Sequence, residues 1–502
     1  MRPLPGAVPA WVADVDDETW LSVARMVGAD GGRFIALWGM EQRPGAVVSA
    51  VYCTAEGLLW LRRRLQEGER YGALSGVYPA AARMQRALHD LLGVAAHGAD
   101  DERPWLNHGL WPADYFPLRA AHSGCEQFAT PAEPYAFVKV GGEGVHEIAV
   151  GPVHAGVIEP GHFRFSVVGE KVLRLEQRLG YAHKGTDKLF IGRSVEQGAA
   201  LAGRISGDAS VAFAWAYSMA AEAVCQCSVP ARAESLRVLL LERERIANHL
   251  GDLGALGNDA GLAFGLAQFS RLKEMWVRLN GELFGHRFLM DCVVPGGVSV
   301  DLEHAGAQAV LAQCAQLDAE VRALRAIYDE HAGLQDRFIG AGRVAPKLAA
   351  ELGLCGLAGR ASAQAWDARA DQASGAYASL NVRMATQRNG DVAARVAVRF
   401  DEIGESLRLL RDVVRALPPG PVLAPPGTPV PHSLGAGWVE GWRGAVLVAL
   451  ELDADGNIAR CHCHDPSWQN WPVLQHAIMG NIVPDFPLIN KSFNLSYSGQ
   501  DL

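Results

Sequence analysis

The 502-residue sequence lacks a long hydrophobic run, an excess of basic charge and a regular cysteine pattern. No segment approaches the roughly 20 apolar residues that cross a bilayer, so we expect no membrane-spanning helix. The formal net charge of -9 gives no basic field that favours nucleic acid. The first twenty residues contain no continuous apolar core, which argues against a secretion signal. We therefore expect a cytoplasmic protein that reaches a membrane only through partners.

The nine cysteines are scattered and odd in number, which argues against a disulfide framework. Two close pairs suggest a metal site, Cys225 with Cys227 and the run Cys461-His462-Cys463-His464. In a strand, the second run would place its cysteines on one face and its histidines on the other. One zinc ion would not easily collect all four, so packing thiols are the favoured interpretation.

The first 120 residues are predicted to form a small α+β domain. Residues 33–65 alternate two apolar runs with a turn and then an amphipathic segment, which indicates strand, strand and helix. The three arginines at 62–64 are interpreted as the solvated face of that helix. A second helical pattern, 78–94, ends at a glycine. A polar, turn-rich connector follows over 121–144.

The sequence pattern of residues 145–502 predicts a second, mostly helical domain. Alternating apolar residues and glycines over 145–175 favour a small antiparallel sheet at its start, and 187–414 is largely helical in pattern. A proline-rich loop is expected over 417–431, followed by strands joined by a turn near the C-terminus. The predicted fold class is therefore α+β.

One helix in this domain is marked clearly in the sequence. Residues 231–250 are preceded by Pro230 and followed by Gly251, as expected at the two ends of a helix. Glu242, Arg245 and His249 stand three and four residues apart, so they share a face. A salt-bridged structural helix is the favoured interpretation.

Four segments carry a family resemblance. They are GPVH at 151–154, EPGHFR at 159–164, YAHKGTDKL at 181–189 and Arg-Ile-Ser-Gly at 204–207. With them, 145–502 resembles the large subunit shared by membrane-bound NiFe hydrogenases, formate hydrogenlyase and the quinone-site subunit of complex I. Residues 1–120 resemble the complex I 30-kDa subunit more weakly. The resemblance implies two subunits fused in one chain.

The resemblance also implies two Cys-x-x-Cys pairs if the chain holds nickel and iron, because thiolates are the soft ligands that these metals need. On the expected alignment those positions carry Ser206, Ala209, Ser492 and Leu495. None supplies a thiolate. We therefore expect no NiFe centre, and the protein to be a redox scaffold without its metal ligands.

Quinone chemistry is the next candidate that the resemblance implies. Asp259 matches an aspartate of complex I, whereas the expected tyrosine falls on Gly207, which has no phenolic donor. His154 matches the first histidine of the complex I turn, and the quinone-binding histidine aligns with Glu159, Pro160 or His162 depending on the gap.

Five residues are thus candidates for the site. His162 is suited to donate or relay a proton near neutral pH, with Glu159 tuning its pKa, and both equally suit a role in fixing the turn. Glu159, His162 and Asp259 are the candidate proton or quinone residues. His154 and Asp187, the acidic residue of the HKGTDKL element, are candidate cavity residues.

The expected function is that of a subunit in a membrane-associated electron-transfer complex resembling NADH-quinone oxidoreductase or formate hydrogenlyase. A small iron–sulfur subunit would supply electrons, membrane-arm subunits would adjoin, and quinone is the candidate acceptor. No tightly bound cofactor is expected in this chain, and no phosphate loop is convincing, so any NAD would bind elsewhere. The rival interpretations are a non-catalytic scaffold that holds the iron–sulfur partner and, less favoured, a functional NiFe hydrogenase. The location implied is the cytoplasmic face of the inner membrane.

Overall fold

The computed structural model of the chain describes residues 1–129, 135–154 and 158–502. Its elements are mixed α and β with several small sheets, which confirms the predicted α+β class. In the described ranges, no helix combines the length and apolar character that a bilayer-spanning segment requires.

The N-terminal part holds a five-stranded sheet with helices packed on it. Its elements are β1 Arg2–Pro3, β2 Ala10–Val15, α1 Asp17–Ala29, β3 Arg33–Gln42, β4 Gly45–Cys53, β5 Leu58–Leu65, β6 Tyr71–Gly72, α2 Ala81–Leu92 and β7 Ala96–His97. The strand order is β1-β2-β5-β4-β3, and only β2 and β5 are parallel. Helix α2 ends at Gly93, whose φ of 72° suits a residue without a side chain, as its sequence pattern predicts.

Segment Leu58–Leu65 corrects one prediction, because it is a strand and not an amphipathic helix. It lies between β4 and β2, and its side chains alternate between the two faces of the sheet. Arg62 is buried, and it pairs with Glu451 at 3.0 Å. Arg63 is half-buried and only Arg64 is exposed, so the triple arginine is not a solvated helix face.

The second part begins with the predicted antiparallel sheet, in the order β10-β9-β8. Its elements up to the helical body are β8 Val145–Val150, β9 His162–Val168, β10 Lys171–Arg178, α3 Thr186–Phe190, α4 Val195–Ala202 and α5 Ser210–Cys225. The helical body comprises α6 Ala231–Asp259, α7 Ala263–Phe284, β11 Val293–Val294, β12 Gly297–Val298, α8 His304–Glu330, α9 Ala332–Phe338, α10 Pro346–Glu351, α11 Gly356–Ala361, α12 Ala368–Asp371, the 3-10 turn Gly375–Ser379 and α13 Val392–Arg415. This agrees with the helical pattern expected over 187–414.

Helix α6 also differs from its prediction, because it continues through Gly251 to Asp259. The glycines of its last turns serve packing. A Cβ at Gly254 would lie 3.1 Å from the Cβ of Phe269, and one at Gly257 would lie 2.2 Å from the hydroxyl of Tyr328. Helices α7 and α8 therefore approach α6 closely at these positions.

The C-terminal part follows a proline-rich loop, as predicted. Its elements are β13 Leu434–Glu440, β14 Ala445–Leu452, β15 Ile458–His464, α14 Ser467–Ala477, the 3-10 turn Val483–Asp485, α15 Phe486–Phe493 and α16 Ser498–Asp501. The three strands form an antiparallel sheet against which α5 packs.

The two parts of the chain share one hydrophobic core. Trp38 on β3 stacks on His462 of β15 with ring centroids 4.7 Å apart, and Arg460 Nε donates to the carbonyl of Gly39 at 3.0 Å. The predicted connector, 121–144, contains residues 130–134, which lie outside the described residues. The proposed boundaries at 120 and 145 remain predictions.

Candidate functional site

The site lies where three loops meet: the β8–β9 loop, the segment before α3 and the C-terminal residues from Leu495 onward. Glu159 of the first loop is half-buried and accepts a hydrogen bond from Ser498 N at 3.0 Å. Gly161 lies flat against Tyr497, since a Cβ there would come 2.5 Å from the tyrosine ring. The C-terminal segment thus fixes the turn that carries Glu159.

His154 and His162 both bind backbone within the β8–β9 turn. His154 Nε2 lies 2.8 Å from the carbonyl oxygen of Gly161, and His162 Nδ1 lies 3.2 Å from that of Gly151. A carbonyl only accepts, so each of these nitrogens carries its hydrogen. Burial lowers the pKa of His162, which favours the neutral ring. Both histidines therefore hold the turn.

His162 faces a different space from Glu159. It lines a surface cavity of about 690 Å³ together with Arg178 and Tyr181. Glu159 is not among the residues that line this cavity. The two candidates are close in sequence, yet the structure directs them to separate surroundings.

Lys184 stands at the centre of the site, although the sequence analysis does not select it. Its Nζ donates to the carbonyl of Ile205 at 2.7 Å. Burial lowers the pKa of Lys184, while the charges of Glu159 and Asp501 act in the opposite direction. The HKGTDKL element contains this lysine, so the signal is present in the sequence.

Asp501 faces the same lysine from the C-terminal segment. Its Oδ2 accepts from the backbone N–H groups of Gly180 and Ala182, each at 2.9 Å. Burial raises the pKa of Asp501 to about 7 despite these two donors. No feature of the sequence points to this residue.

Asp187 is buried at the start of α3 and lies apart from Glu159. Its Oδ2 accepts from Arg460 Nη2 at 2.6 Å. The pair lines a small internal cavity between the N-terminal sheet and β15.

The positions expected to carry metal ligands are only partly brought together. Ser206 Oγ lies 3.0 Å from Ser496 Oγ, and Gly499 N donates to Ser496 Oγ at 2.9 Å. Ser492 is elsewhere, on α15, where its hydroxyl accepts from Arg395 Nε at 2.8 Å. Ser492 thus lies apart from Ser206, and its assignment as a ligand position stays a prediction. Ser496, with Gly499 beside it, faces Ser206, because α15 ends at Phe493 and the chain turns before Ser496.

These residues do not fit a nickel–iron centre. Ser206 and Ser496 offer hydroxyls, and Ala209 and Gly499 offer no donor atom at all. A side chain at Gly499 would meet the carboxylate of Asp465, whose Oδ2 would lie 2.5 Å from its Cβ. Nowhere in the part of the chain that the structure describes do three or more histidine, cysteine, aspartate or glutamate side chains form a group that could hold a metal ion.

The second cysteine pair, Cys461 and Cys463, lies on strand β15. Cys461 and Cys463 share one face of β15 with their sulfur atoms 3.8 Å apart, and the flanking histidines lie on the other face. This is the arrangement that strand alternation predicts.

An ion pair between Asp208 and Arg443 closes the space around Ser206. The guanidinium donates to both carboxylate oxygens, at 2.8 and 2.5 Å, and Ser206 Oγ donates to Asp208 Oδ1 at 2.8 Å. Burial pushes the pKa of Asp208 upward, but Arg443 outweighs it and the pKa is lowered. Arg443 lies in the turn between β13 and β14.

Asp259 ends α6 and is half-buried. Burial raises its pKa, and the charge of Lys491 opposes that rise. Lys491 also pairs with Asp252 at 3.3 Å and lowers the pKa of Asp208. Within the described ranges, no hydrogen bond joins Asp259 to Glu159 or His162. Its link to the site runs through Lys491.

Gly207 opens onto a separate pocket of about 180 Å³. No atom lies within 4 Å of a Cβ built at this glycine. Glu244, Asn248 and Lys273 line the same pocket. The position where complex I is expected to carry tyrosine is thus an opening.

The shared face of α6 is a buried ion network, as predicted. His249 Nε2 lies 2.7 Å from Glu402, and Arg245 Nε donates to Glu242 at 3.3 Å. Arg360 donates to Glu402 at 2.7 Å through Nη2. These groups are almost fully buried, so the network fixes the helices behind the site.

Comparisons with known proteins match both parts of the chain. The family described as the 49-kDa subunit of respiratory-chain NADH dehydrogenase matches residues 259–433, and the 30-kDa subunit family matches residues 13–127. Formate hydrogenlyase subunit 5 of Escherichia coli (strain K12) is 30% identical over 483 residues, which cover 94% of this chain and 85% of that protein.

Two further relatives and one solved structure extend the comparison. The carbon monoxide-induced hydrogenase of Rhodospirillum rubrum is 29% identical over 70% of this chain and 97% of its own length. A subunit of the NADH-quinone oxidoreductase of Dehalococcoides mccartyi is 30% identical over 69% of this chain and 95% of its own. A chain of the archaeal membrane-bound sulfane sulfur reductase shares the fold, with a TM-score of 0.68 at 24% identity over 72% of this chain and 99% of that one.

Proposed function

This chain belongs to the large-subunit family that includes formate hydrogenlyase subunit 5 and the matching subunit of NADH-quinone oxidoreductase, and from that premise we propose that it serves a membrane-associated oxidoreductase complex as a fused large subunit without a metal centre. Electrons would come from a small iron–sulfur subunit and pass to quinone. Membrane-arm subunits would hold the chain at the cytoplasmic face of the inner membrane.

The observation that carries this proposal is a set of proton-bearing groups beside Ser206, a position where a nickel centre would need a thiolate. Lys184 stands near both Glu159 and Asp501, and Ser206 is hydrogen-bonded to Ser496. Hydroxyl, ammonium and carboxyl groups bind no nickel in this arrangement, but they can deliver protons. Reducing a quinone to quinol takes two electrons and two protons. The partner would supply the electrons, and these groups would supply the protons.

Exposed apolar side chains support a partner at this loop. Val153 is 83% exposed and Ile158 is 54% exposed on the β8–β9 loop. Apolar residues exposed beside a site commonly mark a protein interface. An iron–sulfur subunit that covers them would lie directly against Glu159.

A non-catalytic scaffold is the second candidate. It is favoured by the closed packing around Ser206, where Asp465 fills the space beside Gly499 and Arg443 neutralises Asp208. A nickel–iron hydrogenase is disfavoured by the donor set itself.

Rates of quinone reduction by the purified complex distinguish the two candidate functions. We expect Glu159→Gln to lower the rate of quinone reduction by about 10- to 100-fold, because a positioned proton donor contributes that much or more. His146→Gln, on the exposed edge of β8, is the matched control. Unchanged rates in both Glu159→Gln and His162→Gln would support the scaffold. Stoichiometric nickel by elemental analysis would overturn both.

A further inference from the structure

A small cavity lies between the N-terminal sheet and β15. His183 and Asp501 of the site line it, but Glu159 does not. It encloses about 30 Å³. A buried water needs roughly 10–15 Å³ of such volume and two to four polar partners. The cavity is therefore large enough for about two water molecules.

The residues that line this cavity carry polar atoms that have no hydrogen-bond partner within the described part of the protein. These atoms are Trp38 Nε1, Asp187 Oδ1, His462 Nδ1 and Nε2, His464 Nδ1 and Trp468 Nε1. Buried polar groups are almost always paired, so six such atoms around one cavity call for a ligand. Two are indole donors, and one is a carboxylate acceptor.

The hydrogen-bonding role of His464 follows from its neighbour. Gln469 Nε2 donates to the carbonyl of Ile35, so its Oε1 is free to accept. His464 Nε2 lies 2.9 Å from that oxygen and therefore carries the hydrogen. Its Nδ1 is left as an acceptor without a partner among the described residues, and His464 lines the cavity.

His462 offers both functions at once. Burial and the neighbouring charge of Arg460 lower the pKa of His462 well below its usual range, so the ring is neutral. A neutral imidazole has one donor and one acceptor nitrogen, and neither has a partner among the described residues. The stacking on Trp38 holds the ring in place.

We propose that this cavity binds about two ordered water molecules, which join Asp187 to His462 and His464 in one hydrogen-bonded chain. The chain can carry a proton, because His462 can accept one at its free nitrogen while it releases the hydrogen from the other. The titratable and charged groups around the cavity are Asp187, His183, Arg460, His462, His464 and Asp501. Trp38 ties the N-terminal part of the chain to this unit.

The test is a high-resolution structure of the native complex together with infrared spectra of the Asp187 carboxyl group. We expect ordered water within hydrogen-bond distance of Asp187 Oδ1 and His462. His462→Phe keeps the stacking on Trp38 but removes both nitrogens, so it should displace water and shift the carboxyl band. His146→Phe is the control on an exposed strand, and Asp187→Asn identifies the band.

A cavity without ordered water in the native complex would overturn the proposal. So would an unchanged carboxyl band in His462→Phe. If that variant does not fold, Trp468→Phe removes a single indole donor and should move one water, whereas an unmoved water would count against the chain. These readouts do not depend on quinone reduction, so a failure of the proposed function leaves this test intact.

Discussion

Ser496 lies 3.0 Å from Ser206 across a separation of 290 residues. Two hydroxyls thus meet where the fold brings the α4–α5 loop against the C-terminal segment. The contact is supported by Asp208, which accepts from Ser206, and by Gly499, whose N–H donates to Ser496. This part of the molecule is a hydrogen-bonded junction with little free space beside Gly499.

Gly499 should tolerate no side chain. In Gly499→Ala the new Cβ would come 2.5 Å from Asp465 Oδ2 and 2.9 Å from Ser496 Oγ. We expect a loss of about 1–3 kcal/mol, as overpacking of a filled interior usually costs. Gly207→Ala is the matched control, since nothing lies within 4 Å of its Cβ. Thermal unfolding measures both, and equal midpoints for the two variants would contradict the packing described.

Removing Arg443 should make stability depend on pH in a new way. Asp208 has a lowered pKa, so its favourable contribution is present above the unfolded pKa and is lost only as pH falls through the folded value. In Arg443→Gln the pKa of Asp208 moves upward, because only Ser206 and Lys491 then oppose the effect of burial. The loss of stability relative to wild type should therefore be largest near pH 7 and shrink toward pH 4. Thermal unfolding midpoints measured between pH 4 and pH 7 test this pH dependence, with the exposed Arg278→Gln as the control.

Asp501→Asn should stabilise the protein at alkaline pH. The folded pKa of about 7 is above the ordinary 3.8, so the destabilising effect of the Asp501 charge is absent below pH 4 and grows as pH rises toward 7. Asparagine keeps an acceptor for Gly180 and Ala182 and carries no charge. We expect a gain of about 2–4 kcal/mol at pH 8 that disappears by pH 4. A gain that stays constant with pH, or that exposed Asp114→Asn also shows, would rule out titration of Asp501.

Glu402→Gln should be severely destabilising. Glu402 binds His249 at 2.7 Å and Arg360 at 2.7 Å, and all three side chains are buried. Removing one charge leaves Arg360 underpaired in the interior, which costs about 3–5 kcal/mol. Glu274→Gln, in a solvent-exposed group with Arg278, should change the free energy of unfolding by less than about 1 kcal/mol. Equal decreases in the free energy of unfolding in the two variants would show that the buried network stabilises the fold no more than the exposed group does.

Local signals in the sequence predict much of the fold. Helix α2 is recognisable because its apolar spacing ends at Gly93, a residue suited to a left-handed turn. Strand β5 is mistaken for a helix because Arg62 resembles a solvated residue, whereas its partner Glu451 lies 389 positions away. The last turns of α6 are not predicted because their glycines are typical of a helix end. Contacts with Phe269 and Tyr328 explain them, and no local pattern reveals such contacts.

In the candidate site, too, residues within one local turn are predicted from the sequence, whereas residues placed by distant contacts are not. Glu159, His154 and His162 are identified from the turn that contains them, and the structure shows that this turn is built by hydrogen bonds to backbone. Ser496 and Asp501 cannot be placed from sequence, because their positions depend on how the chain reverses after α15. Spacing along the sequence gives no measure of that turn.

The stack of Trp38 on His462 and the ion pair of Arg62 with Glu451 bear on how this protein must be synthesised. Trp38 and Arg62 in the N-terminal part are covered by His462 and Glu451 in the C-terminal part. Each part alone would therefore expose an aromatic ring and a charge. If the halves were translated separately, any surplus of one would display that face and would be prone to aggregate. A single polypeptide delivers the two surfaces in equal numbers and at the same moment, so the cell needs no separate control of their dosage.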